Sequence, residues 1–140
     1  MKKRMIRTYL DSGVLITVAR AEDGAALGEA VLVDPGRRHL TSRFVELETL
    51  PHAMRSRQTG QARLYRDYFA RARVLKDSRR AVLLAMEILT ERPMQAMDAL
   101  HVAAAALLGA DEIITTERPG RAIYWNGRVR VKHVSEVGRG

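Results

Sequence analysis

Residues 95–117 read QAMDALHVAAAALLGADEIITTE. The first part, Gln95 to Leu108, is rich in alanine, the best helix former, and Gly109 supplies the residue that most readily ends a helix. The next stretch, Glu112 to Thr116, is short and β-branched and reads as a strand. A helix that runs straight into a strand is half of a parallel α/β unit. Two acids bracket this unit: Asp98 falls in the first turn or so of the helix, and Glu117 directly follows the strand. The small residues Ala99 and Ala103 to Ala106 would let the helix lie close against a sheet.

Working outward, the same alternation repeats. Ile6 to Leu10 is a β-type run that ends in Asp11-Ser12-Gly13, after which Val14 to Ala19 begins a helix with Asp11 or Ser12 as its cap. A second helix is expected from Gly24 to Val33, stopped by Asp34-Pro35-Gly36. Arg38 to Thr41 reads as a second strand, and Ser42 opens a helix carrying Phe44, Val45, Leu47, Glu48 and Leu50 up to Pro51. From Gln58 to Ala72 the residues Leu64, Tyr65, Tyr68, Phe69 and Ala72 form a helical stripe, whose aromatics are expected in the core rather than as stacking platforms. Asp77-Ser78 caps a further helix through Leu89, and Arg128 to Val134 alternates like an edge strand. The sum is an α/β domain with a parallel sheet. No internal repeat, low-complexity tract or linker interrupts it, so residues 1–140 are expected to form one domain.

Composition narrows the chemistry. The chain has no cysteine, which removes disulfides, thiolate zinc sites and cysteine nucleophiles and suits a reducing cytoplasm. Met1 to Arg4 is basic, but the apolar run after it is broken at Asp11 and Gly13, unlike a signal-peptide core. No stretch approaches the roughly eighteen apolar residues of a membrane span. A soluble, cytoplasmic protein is therefore expected. The net charge is +8. Nine basic residues between Arg55 and Arg80 (Arg55, Arg57, Arg63, Arg66, Arg71, Arg73, Lys76, Arg79 and Arg80) face only Asp67 and Asp77, so most of that charge lies in one block. Such a block favours a polyanionic partner such as RNA. A solvated helix face would account for any single arginine equally well.

In open parallel sheets, ligands bind beyond the carboxyl ends of the strands. Asp11 and Glu117 each follow a strand directly, Asp98 begins the helix before the last long strand, and Glu48 sits among apolar neighbours at the edge of a core. Burying an unpaired carboxylate is costly, and converging acids repel unless a cation compensates them. The four histidines show no ligand spacing, and His101, one turn after Asp98, reads as a packed or capping residue. An all-oxygen site suits Mg²⁺ or Mn²⁺ better than zinc or copper. Taken singly, each acid would be read as a cap or a solvated charge, so the argument rests on the set.

The segments Thr8 to Ile16, Leu40 to Pro51, Asp98 to Ala105 (DALHVAAA) and Ile113 to Glu117 (IITTE) resemble, in order, the four acidic motifs of PIN domains, especially those of VapC-like toxins. The resemblance spans roughly residues 5–134. It implies a three-layer α/β/α domain with a short parallel sheet, and a metal-dependent endoribonuclease acting as the toxin of a type II toxin–antitoxin pair. Asp11, Glu48, Asp98 and Glu117 would be its catalytic and metal-binding acids, with Ser12 and Thr115 as polar residues near the metal. The register of the second motif chooses Glu48 over Glu46. Where the family more usually has Asp, Glu117 adds a methylene, so it would reach the metal through water or only support the site. Ser12, Thr115, Arg63 and Arg66 would help position RNA. Such toxins are commonly dimers held inactive by a small antitoxin, which makes an antitoxin and a second copy the implied partners. One or two ions fit equally well. The rival from another class is a degenerate PIN-like domain that binds RNA or a partner without cutting. Another Mg²⁺ phosphohydrolase is disfavoured because the chain has neither an Asp-x-Asp pair nor a Gly-rich phosphate loop.

Overall fold

A computed structural model describes residues 4–137; Met1 to Lys3, part of the basic start, lie outside them. The elements run β1 (Ile6–Leu10), α1 (Ser12–Ala19), α2 (Ala25–Val33), β2 (Arg37–Ser42), α3 (Arg43–Arg55), α4 (Thr59–Arg71), β3 (Arg73–Leu75), α5 (Ser78–Glu91), α6 (Ala96–Leu107), β4 (Glu112–Thr115) and β5 (Val131–His133). All five strands are parallel, in the order β3-β2-β1-β4-β5. From β1 to β3 the chain steps outward in one direction, and from β3 it crosses back to β4 on the other side of β1. Because parallel crossovers are right-handed, that reversal puts α1 to α4 on one face and α5 and α6 on the other. This is the three-layer α/β/α arrangement expected.

The central strands show why the sheet is stable. Tyr9, Leu10, Ile113 and Ile114 have no exposed surface, as a strand covered on both faces requires. Burying each such aliphatic side chain stabilises the fold by roughly 1.5–3 kcal/mol. Ala99 and Ala103 to Ala105 are fully buried, so α6 does approach its neighbours closely, and Tyr65 and Tyr68 are core residues as their stripe predicted. No helix among the described residues is long and apolar enough to cross a membrane.

Three local expectations are corrected. Helix α3 continues through Pro51 to Arg55, because the bond that proline forfeits lies on the helix's exposed side, where Leu47 sits in water. The last strand begins only at Val131, since the Asn126 side chain ties Ile123, Arg128 and Val129 into a turn with Gly127 at φ 77°. Strand β3, unread in the sequence, has three residues and only Leu75 is buried, too short for any period to show.

The topology creates the functional end of the molecule between β1 and β4. The connection leaving β1 turns towards β2 and the one leaving β4 turns towards β5, which opens a crevice at the carboxyl ends of these neighbouring strands.

Candidate metal centre

Asp11 stands at that crevice, one residue past β1, and caps α1: its Oδ1 accepts the Ser12 backbone N–H at 2.8 Å. Its Oδ2 accepts the Thr115 hydroxyl at 2.9 Å, from the end of β4. Both carboxylate oxygens are thus aimed by neighbouring elements. Gly13 lets the start of α1 lie close to the end of β4, because a Cβ there would meet the Thr116 hydroxyl.

Glu48, in the second turn of α3, reaches the same place. Ser12 Oγ donates to its Oε1 at 3.0 Å, and the buried His101 Nε2 lies 2.5 Å from the same oxygen. Ligand atoms of Asp11, Glu48 and His101 all fall within 4.8 Å of one another. Burial pushes the Glu48 carboxyl up, but the hydrogen bond and field of His101, with the Ser12 hydroxyl, outweigh it and hold the group below its usual range.

Asp98, in the first turn of α6, is pushed the other way. Burial raises its pKa first, the negative charges of Asp11 and Glu117 add to this, and His101 only partly offsets them. Glu117 is farther out, 3.6 Å from Arg121 Nε through its Oε2, with its backbone N–H donating to Thr115 Oγ1 at 3.0 Å. Among the described residues no lysine or arginine forms an ion pair with Asp11, Glu48 or Asp98. A group of acids with no lysine or arginine partner, supported by hydroxyl, backbone and imidazole donors, fits a divalent cation held by oxygen ligands.

A model of the PIN domain family matches residues 8–119. The chain belongs to the PIN domain family. Three solved structures share this PIN fold: VapBC2 from Rickettsia felis bound to a DNA fragment from their promoter (TM-score 0.69, 13% identity, 91% of this chain and 98% of that one); DNA-bound VapBC from Salmonella typhimurium (0.69, 17%, 93% and 99%); and Mycobacterium tuberculosis VapC20, a sarcin-ricin loop cleaving toxin (0.63, 17%, 89% and 98%). No curated protein sequence matches.

Within this PIN domain the four expected acids do not stand alike. Asp11 and Glu48 are drawn together, Asp98 is coupled to them through charge, and Glu117 leans towards Arg121. Glu46 points elsewhere and pairs with Arg43. Ser12 and Thr115 are buried, and their hydroxyls donate to Glu48 and Asp11. Arg63 and Arg66 are exposed on α4 and line different grooves, one beside Val18 and Leu32, the other beside Ala53 and Met54. His101 is packed, as its Ala-rich helix implied, yet it also touches Glu48, which sequence reasoning missed. The available signal was its place one turn after Asp98, on the same helix face.

Proposed function

We propose that this PIN-domain protein is a Mg²⁺- or Mn²⁺-dependent endoribonuclease that hydrolyses RNA phosphodiesters, and that it is the toxin of a type II toxin–antitoxin pair in the cytoplasm. The observation that carries this reading is the gathering of Asp11 and Glu48 with His101 at the β1–β4 crevice, with Asp98 within range of their charge and no lysine or arginine paired to these acids among the described residues. A divalent ion bound there would lower the pKa of a coordinated water and neutralise charge on the scissile phosphate. Asp11, fixed from both sides, and Asp98, whose carboxyl is the least compensated, would be its principal ligands. Glu48 presents Oε2, since its hydrogen bonds among the described residues fall on Oε1. Glu117 would orient water or support the site from the rim.

The exposed arginines of residues 55–80 would hold the RNA backbone, Arg63 and Arg66 among them. Two uncovered apolar faces suit the cognate antitoxin and a second copy of the chain: Leu47 and Met54 with Phe44 and Leu50 on α3, and Val82, Leu83, Met86 and Leu89 on α5. The VapBC likenesses support a protein partner, and VapC20, described as cleaving the sarcin-ricin loop, supports RNA as substrate. The contact of Glu117 with Arg121 is the one feature that favours a binding-only domain. The test is cleavage of a single-stranded RNA by the purified protein: cutting in Mg²⁺ that stops in EDTA supports the nuclease, whereas RNA bound but left intact favours the binding-only rival.

A further inference from the structure

Beneath the acids runs a line of buried polar side chains drawn from four elements. Ser42 Oγ, at the end of β2, lies 2.7 Å from Tyr9 Oη of β1. Tyr9 Oη lies 2.8 Å from His101 Nδ1 on α6, and His101 Nε2 contacts Glu48 Oε1 on α3. Ser42, Tyr9 and His101 are at most 1% exposed.

The chemistry of the ends gives this line a direction. An ionised carboxylate can only accept, so Nε2 must carry the hydrogen it shares with Glu48. On its other side the ring shares a hydrogen between Nδ1 and the Tyr9 oxygen, and the Tyr9 and Ser42 hydroxyls share the next one. Burial holds the Tyr9 phenol protonated well above its usual range, so its donor persists. The line therefore ends on an N–H donor aimed at Glu48.

The arrangement has a cost. Ser42 occupies the N-cap position of α3, yet its side chain makes no cap bond, because the hydroxyl is committed to Tyr9. A serine at this position ordinarily stabilises its helix by accepting a backbone N–H.

We propose that His101 and Tyr9 are positioning residues, anchored by Ser42, that clamp Glu48 Oε1 from below so that Oε2 is presented to the cation. The proposal rests on the metal-site reading. His101 acts through Glu48 and is not itself a ligand: its Nε2 hydrogen is directed at Glu48, and the nearest oxygen of Asp11 is 3.9 Å away. Partners that orient a ligand in this way commonly change metal affinity 10–100-fold when removed.

The test is Mn²⁺ binding, followed by the electron paramagnetic resonance of the free ion, with no RNA present. His101→Leu is expected to weaken binding about 10–100-fold. His101→Gln, whose amide N–H can stand where Nε2 stands, should recover much of the loss, and Tyr9→Phe should give a smaller weakening. In a Glu48→Gln background, His101→Leu should add almost nothing, since both changes remove one interaction. Pulsed resonance of the Mn²⁺-loaded wild type should show no directly bonded nitrogen. A bonded-nitrogen signal, unchanged Mn²⁺ affinity in folded His101→Gln and His101→Leu, or full additivity with Glu48→Gln would each overturn the proposal. Wild type that binds no Mn²⁺ overturns it together with the metal site. Wild type that binds Mn²⁺ but cuts no RNA overturns only the nuclease reading.

Discussion

At the amino ends of its strands the sheet buries Glu112 between Arg37 and Lys132, with the Thr8 hydroxyl donating to the same carboxylate. Beside it, Asp111 accepts the Arg7 backbone N–H at 2.8 Å and is flanked by the Arg4 and Arg7 guanidinium groups. At the carboxyl ends of the strands, Asp11 and Glu48 meet serine, threonine and histidine, and among the described residues neither they nor Asp98 forms an ion pair with lysine or arginine. One end of the sheet is electrostatically closed, and it fastens β1, β2, β4 and β5 together. The other end is left short of positive charge, and such a cluster is unfavourable unless something from solution completes it. On the proposed reading, acids in the same sheet serve opposite purposes, and the residues that surround them tell the two apart.

The largest expected effect breaks the open end. If the proposed reading holds, Asn at Asp11 or Asp98 should lower RNA cleavage by more than about a hundredfold, because a bound ion would supply several kcal/mol of transition-state stabilisation. The fold should survive, since a repulsive charge has been removed; full activity in Asp98→Asn would sink the site assignment. Breaking the closed end should do the reverse. Glu112→Ala leaves Arg37, 8% exposed, with only the more exposed Asp34 as its partner and should be clearly destabilising, by less than the roughly 3–5 kcal/mol of a buried charge left wholly unpaired, read as a lower denaturant midpoint. Cleavage per folded molecule should stay near the wild-type level.

Much of this was legible in the sequence, for identifiable reasons. The strand–turn–helix at Asp11 and the helix–strand unit from Gln95 to Thr115 are short-range patterns with caps and periods of their own, and the structure reproduces both. The separation of Glu48 from Glu46 followed from the rotation of a helix, which turns residues two apart in different directions. The closed end was not legible, because Arg37, Glu112 and Lys132 meet only through strand order and register. The same holds for the line from Ser42 to His101. Its members come from three elements, and no spacing along the chain encodes their contact.

Smaller effects sharpen the comparison. Glu117→Gln should raise the Mg²⁺ concentration needed for half-maximal cleavage while saturating metal restores much of the rate, because Glu117 already shares its charge with Arg121. Glu117→Asp should preserve or improve activity; complete loss in the Gln variant at every metal concentration would make Glu117 a primary ligand. Replacing Arg63 and Arg66 with Ala should lower the slope of log K against log salt by roughly 0.7 for each single-strand phosphate that is no longer neutralised. An unchanged slope would reduce both arginines to a solvated face. The smallest effect belongs to Asp111, whose carboxyl is held below its usual range first by the Arg7 backbone N–H and then by the Arg7 side chain. A depressed folded-state pKa contributes stability that is present above the ordinary carboxylate value and is lost as pH falls through the lowered one. Asp111→Asn should remove that part of the acid dependence and leave stability at higher pH almost independent of pH. An unaltered acid limb in the variant would count against the contact.

The claim that the open end is built for a cation is tested most directly by Mn²⁺ titration of three proteins: wild type, the Asp11→Asn/Asp98→Asn double variant and Glu112→Gln. A saturable site in wild type that is retained in Glu112→Gln and lost in the double variant is the result expected. Binding that survives loss of both aspartates, or that disappears when the closed end alone is altered in a folded protein, would contradict it.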